Sequence, residues 1–228
     1  MKPYIICHMM SSIDGHALTD GWDRDLKKSA NEQYEKLADT FAFDAWLCGR
    51  VTMQEIAHGE DYPRGLATAP IAREHYFADR SADKYAISID PEGKVAWKSN
   101  QALGSHVVEV LGEAVSDDYL AYLRSIQVSY VFGGERELDL AAVVELLASE
   151  LGIERLCVEG GPHVSGAFVN AGLVDEVSVL ILPLVDGRGA HPASFEVGES
   201  AWKAPTYLTL SSAEVQDGGG VWLRYTKK

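Results

Sequence analysis

The sequence has little positive charge, little cysteine and no long apolar run. Its 20 Lys and Arg stand against 34 Asp and Glu, a formal charge of −14. That balance opposes loose binding to nucleic acid or to an anionic membrane surface, so an anionic cofactor must find a local positive site. Three cysteines, Cys7, Cys48 and Cys157, form no C-x-x-C pair, and each sits in an apolar, strand-like run. They read as reduced, buried small hydrophobes, not as disulfides or metal ligands. The seven His are scattered, with no H-E-x-x-H spacing, so no metal is expected. No stretch of about eighteen apolar residues occurs, and Lys2-Pro3 leads straight into an apolar strand without a signal-like segment. A cytoplasmic protein is expected, with no membrane and no nucleic-acid partner. Repeats, low-complexity tracts and linkers are also missing, which favours a single domain over 1–228.

What is present centres on residues 155 to 183. The apolar run from Leu156 to Val158 meets Glu159, Gly160 and Gly161, and Pro162 then stands where the first turn of a helix tolerates a missing N–H. Strand, tight turn and helix follow in that order. Adjacent glycines let backbone approach a ligand, and free N–H groups at a helix start attract phosphate. A P-loop is rejected, because Ala167 and Phe168 stand where its lysine and hydroxyl belong. The spacing of Gly160, Gly161 and Gly166 also misses the Rossmann fingerprint. An ordinary strand-to-helix turn with a packing glycine at 166 stays open.

Elsewhere strands and helices alternate. Tyr4 to Met10 is an apolar strand closed by the turn cluster Ser11-Ser12-Ile13-Asp14-Gly15. Ser29 or Asn31 is expected to cap a helix to about Asp39 with Tyr34, Leu37, Ala38 and Phe41 inward. A second strand, Asp44 to Cys48, ends at Gly49-Arg50-Val51-Thr52, and helix is expected from Met53 to Ala57. Arg50 can grip phosphate bidentately and Thr52 adds a donor; the plainer reading is a surface ion pair and a cap. Residues 58–82 form a long excursion with a short helix expected around Ile71 to Phe77. Strands follow at Lys84 to Ile89, Val107 to Leu111 and Val128 to Phe132, with a helix opened by Ser116. Asp139 caps a helix from Leu140 to Leu151 that Gly152 stops. Glu176 to Leu182 reads as a central strand, and Tyr207 to Leu210 with Val221 to Tyr225 reads as a hairpin. The class is therefore α/β, with a mixed, mainly parallel sheet flanked by helices and a C-terminal β-hairpin.

Taken in order, Ser12-Ile13-Asp14-Gly15, Gly49-Arg50-Val51-Thr52, Glu159-Gly160-Gly161, Gly172-Leu173-Val174-Asp175-Glu176 and Pro183 carry a resemblance. The chain resembles the C-terminal reductase domain of the bifunctional riboflavin-biosynthesis deaminase-reductase, of dihydrofolate reductase-like fold. The resemblance implies an NADPH-dependent oxidoreductase that passes hydride to the ribose C1′ of an aminopyrimidine. It implies that Gly49, Arg50 and Thr52 hold cofactor phosphates, with Arg50 on the 2′-phosphate, and that Gly160 and Gly161 lie against the pyrophosphate and nicotinamide ribose. Asp14 and Glu159 are implied as catalytic, and Ser12, Gly15 and His8 as lining the substrate. It implies a homodimer as well.

Two positions depart from the family pattern. His8 stands where members that act on a phosphorylated pyrimidine commonly carry lysine, and Thr40 where they carry arginine. Both changes remove a fixed positive charge. No deaminase half is expected before the first strand. The competing readings are a reductase of another heterocycle, such as a dihydrofolate or pterin, and a non-catalytic dimeric module. Trp22-Asp23-Arg24-Asp25 lacks the proline that folate reductases place there.

Overall fold

The computed structural model describes residues 1–135, 137–189, 191–197 and 201–228. The chain opens with β1 (Tyr4–Ser11), α1 (Arg24–Asp39), β2 (Ala45–Gly49), α2 (Arg50–Ala57) and β3 (Tyr85–Ile89). It continues through β4 (Gln101–Ala102), β5 (Ser105–Gly112), α3 (Asp117–Ser125), β6 (Ser129–Gly134) and α4 (Leu140–Leu151). It ends with β7 (Arg155–Val158), α5 (Pro162–Asn170), β8 (Glu176–Ile181), β9 (Leu208–Val215) and β10 (Val221–Lys227). Two compact units result, one of residues 1–3 and 44–156, the other of 4–43 and 157–228. Each boundary falls at or inside a strand region, not in a Pro- or Gly-rich linker, so composition along the chain gives no sign of the division.

In the first unit β2, β3, β5 and β6 pair in parallel and the short β4 lies antiparallel on β5. Every residue of β2, β3 and β5 is buried, as expected for parallel strands covered on both faces. In the second unit β1 pairs in parallel with β8, and β10 joins β8 and β9 antiparallel. That is the mixed, mostly parallel arrangement with a C-terminal hairpin expected from the sequence. β9 is open along most of its length.

Local chemistry explains three differences. The first helix begins at Arg24, not near Ser29 or Asn31, because the Asp23 carboxylate accepts the N–H groups of Asp25 and Leu26, both at 3.0 Å. The second begins at Arg50, with Gly49 as the cap residue, so Thr52 lies inside the first turn. No helix forms between 71 and 77. There the Arg73 guanidinium reaches the carbonyls of Glu113 (2.9 Å) and Val115 (2.8 Å) and the Asp117 carboxylate (2.5 Å). Asp118 accepts the N–H groups of Gly65 and Ala67 at 3.0 and 2.9 Å. These straps hold residues 65–73 of the excursion against the start of α3.

Candidate functional site

In the first unit the strand-to-helix turn after β2 presents a bare helix start. Gly49 supplies no side-chain cap, so the first N–H groups of α2, those of Arg50, Val51 and Thr52, have no acceptor within the helix. Arg50 is exposed at the first helical position. Its charge is felt by Asp90 and Glu92 in the turn after β3. Asp90 is fully buried and accepts the N–H groups of Lys94 (2.5 Å) and Val95 (2.8 Å). Burial still pushes its carboxyl up. Glu109, paired in register with Ser88, is also fully buried. Burial first, and the Asp90 charge second, raise its carboxyl well above the usual range, and it accepts the Trp97 indole N–H.

In the second unit the loop after β1 is tied to two other segments. Ser12 is buried, and its hydroxyl accepts the His16 N–H at 3.0 Å. Asp14 accepts the N–H of Asp186 on one oxygen (2.9 Å) and that of Gly187 on the other (2.7 Å). The Ser12 hydroxyl foremost, then these two N–H groups, hold the Asp14 carboxyl well below the usual carboxylate range. Gly15, at φ 86°, gives its carbonyl to the N–H and hydroxyl of Ser194, each at 3.0 Å. The same 191–197 segment packs on α5: the Glu196 N–H reaches the Pro162 carbonyl at 3.0 Å, and a Cβ at Gly166 would stand 2.1 Å from the Glu196 oxygen.

Helix α5 starts bare as well. Gly161 occupies its cap position without a side-chain bond, with Pro162 at the first turn as the sequence suggested. The Gly160–Gly161 peptide is cis and Gly160 has φ 109°, a region that favours glycine. A Cβ at Gly161 would meet nothing within 4 Å, so this backbone faces open space. Glu159 is half-buried just before it.

Ser12, Asp14, Gly15, Glu159, Gly160 and Gly161 therefore share the second unit, while Gly49, Arg50 and Thr52 belong to the first. His8 does not line an entrance. It is wholly buried, with Nδ1 2.8 Å from the Ser178 hydroxyl, Nε2 3.1 Å from the Tyr34 carbonyl, and its ring stacked on Tyr34 at 4.1 Å. Burial lowers its pKa to about 4, so it sits neutral in the core of this structure with both ring nitrogens engaged by protein. Thr40 turns its hydroxyl back to the Leu37 carbonyl at 2.6 Å. Three residues went unnoticed as site candidates. Asp186 accepts the Trp22 indole N–H at 2.6 Å and takes the Arg188 guanidinium on both oxygens, at 2.5 and 2.6 Å. The only hint in the sequence was Asp186-Gly187, a turn pair soon after Pro183. Among the described residues no group of three His, Cys, Asp or Glu could hold a metal, and no helix is long and apolar enough to cross a membrane.

The RibD C-terminal domain family matches residues 3–222. A 2,5-diamino-6-ribosylamino-4(3H)-pyrimidinone 5′-phosphate reductase of Methanothermobacter thermautotrophicus is 36% identical over 196 residues, covering 84% of this chain and 83% of the relative. Its namesake from Archaeoglobus fulgidus is 24% identical over 207 residues, covering 89% and 90%. Among solved structures, a pyrimidine reductase-like protein of Corynebacterium diphtheriae superposes with a TM-score of 0.71 at 16% identity, covering 99% of this chain and 92% of that one. Acinetobacter baumannii RibD gives 0.64 at 16% identity, and this chain spans 58% of its length. These structural likenesses show a common dihydrofolate reductase-like fold. With the family matched over nearly the whole chain, this protein belongs to the RibD C-terminal domain family of oxidoreductases.

Proposed function

We propose that this chain is an NADPH-dependent reductase of riboflavin biosynthesis that delivers hydride to the ribose C1′ of a ribosylaminopyrimidine. The observation that carries this reading is the bare, glycine-led helix start, found at Gly49 and again at Gly161. Such a start offers N–H groups and the positive end of a helix to phosphate. Open space at Gly161 and the positive φ of Gly160 fit close approach of a bulky anionic cofactor to backbone. When bound, the nicotinamide supplies the hydride that reduces C1′ to a CH₂ group.

The chain supplies grip, orientation and a place for the proton. In the first unit Arg50, as a bidentate donor, and Thr52 hold cofactor phosphates beside Gly49. In the second, Gly160 and Gly161 carry the backbone for the pyrophosphate and nicotinamide ribose, and Ser12 and Gly15 shape the substrate entrance. Asp14 is ionised and already engaged with three donors, which favours an orienting role over proton delivery. Glu159 accepts hydrogen bonds from the pyrimidine or holds a water that passes the proton. The open edge of β9 supports a homodimer.

The test is a fluorescence titration with NADPH and NADH on wild type and Arg50→Ala. NADPH is expected to bind more tightly than NADH, and the variant to weaken NADPH by ~10-fold or more, as loss of a charge-assisted bidentate contact does. Folded protein that binds neither nucleotide overturns the reading.

A further inference from the structure

In the first unit two carboxylates meet in the core without a counter-ion. β3 and β5 run in parallel with Ser88 opposite Glu109. Asp90 continues β3 by one residue, its N–H bonded to the Val110 carbonyl at 3.1 Å, so it faces the same side of the sheet as Ser88. Ser88, Asp90 and Glu109 are each 0% exposed. Each also keeps a polar atom without a partner: Ser88 Oγ, Asp90 Oδ1 and Glu109 Oε2. Among the described residues neither carboxylate forms an ion pair, and the Lys94 ammonium pairs instead with exposed Glu92. Two buried carboxylates that feel each other's charge cannot both ionise without a large cost. One proton held between them removes the repulsion and gives both idle oxygens a partner.

The other oxygens are committed to the loop that follows β3. Asp90 Oδ2 accepts the N–H groups of Lys94 (2.5 Å) and Val95 (2.8 Å), and Glu109 Oε1 accepts the Trp97 indole N–H. Side chains of α2 and α3 hold the rest. Gln54 accepts the Ala96 N–H at 3.0 Å, the Tyr119 hydroxyl reaches the Val95 carbonyl at 3.0 Å, and the Tyr122 hydroxyl reaches that of Trp97. This loop starts beside Arg50. Gly49 pairs in register with Ile89, so Arg50 and Asp90 leave neighbouring strand ends side by side, and the guanidinium charge is felt by Asp90 and Glu92.

Resting on the cofactor reading of Arg50 given above, we propose that Asp90 and Glu109 share one proton and are positioning residues for the phosphate-binding start of α2. With the proton in place, one O–H···O bond joins Asp90 Oδ1 to Glu109 Oε2 and the loop is held. Loss of the proton leaves two like charges in a dry site. Asp90 then withdraws from the Lys94 and Val95 N–H groups, and a further negative charge competes with phosphate for Arg50. The remaining neighbours bring no charge: Ser88 and Trp97 do not ionise, and burial pushes the hydroxyls of Tyr119 and Tyr122 up. The folded protein holds this proton at a pH where an unfolded carboxyl has lost it. The brace is therefore complete at low and neutral pH and is lost as pH rises through the pKa of the pair.

Infrared difference spectra of the purified full chain, wild type minus Glu109→Gln, test the proton without any nucleotide. A carboxylic acid C=O stretch at neutral pH is expected in wild type and missing from the variant, whose amide accepts the Trp97 N–H and offers an N–H to Asp90 instead. Absence of the band from wild type overturns the proposal. NADPH titrations test the positioning role, with thermal melts to establish that the variants fold. At neutral pH Glu109→Gln should bind NADPH as wild type does, and Glu109→Ala should bind it ~10-fold more weakly, the cost of leaving a buried acceptor unpaired. On the alkaline side the wild-type band should fade and NADPH affinity fall with it, by at most about tenfold per pH unit, the limit for one proton, while Glu109→Gln stays level. Equal affinity in both variants, an alkaline fall of the same shape in Glu109→Gln, or constant wild-type affinity as the band fades overturns the positioning role. The band without NADPH binding sinks the reductase reading and leaves the shared proton in place; NADPH binding without the band sinks this inference alone.

Discussion

His8 shows how tertiary context decides the role of a residue. In sequence it sits inside the apolar run from Tyr4 to Met10, where the family resemblance implies a cation; in the fold its two nitrogens and its ring face are consumed by Ser178, Tyr34 and Phe41. Because its folded pKa is lowered to about 4 from 6.5, the unfolded chain takes up a proton at a pH where the folded one does not. Stability from this residue is therefore complete above 6.5 and is lost as pH falls toward 4, by about 3 kcal/mol in all. Denaturant melts between these limits should show that slope, and His8→Phe should flatten it whatever its absolute cost. An equal slope in the variant assigns the effect to other groups. Asp14 poses the opposite case, a carboxylate kept ionised by backbone donors. Asp14→Asn is expected to lower turnover by loosening the 184–188 loop while leaving the shape of the pH–rate profile in place. A shift of that profile's acidic or basic limb would restore Asp14 as the proton carrier.

At the scale of elements, helix starts and stops were legible where a side chain beside the helix forms the cap. Ser116 and Asp139 cap α3 and α4, and Gly152 stops α4 at φ 68°, all as the letters suggested. The start of α1 was misplaced because several residues between Asp23 and Asn31 can cap, and only the fold shows that Asp23 does. The 58–82 excursion was unreadable for a different reason. Its order comes from Arg73 and Asp118 contacts made about forty to fifty residues away in sequence, which no local pattern encodes. Helix α5 depends on the same kind of distant contact. Gly166 lies under the Glu196 backbone, with Glu196 O, C and N all within 3 Å of where a Cβ would be. Gly166→Ala must push that segment away, and the expected cost is about 2 kcal/mol or more in chemical denaturation. Because the segment also holds the Gly15 carbonyl through Ser194, substrate KM should rise in the variant. A stability and KM equal to wild type would show that the segment shifts without consequence.

For the whole molecule, composition and period were enough to set the class. The excess of acids opposed loose binding to nucleic acid, apolar runs alternating with capped helices pointed to an α/β sheet, and the ordered glycine motifs led to the family that residues 3–222 match. These features are local, since hydrophobic period, caps and turn glycines act over a few residues. The partition into two units, the burial of His8, the Asp14 clamp and the Trp22–Asp186–Arg188 cluster were decided only in three dimensions. Each joins residues more than a hundred positions apart or turns on which side of a strand is covered. A sequence names the groups that could bind or titrate; packing determines which of them keep a free hydrogen-bonding atom and which are desolvated and spent.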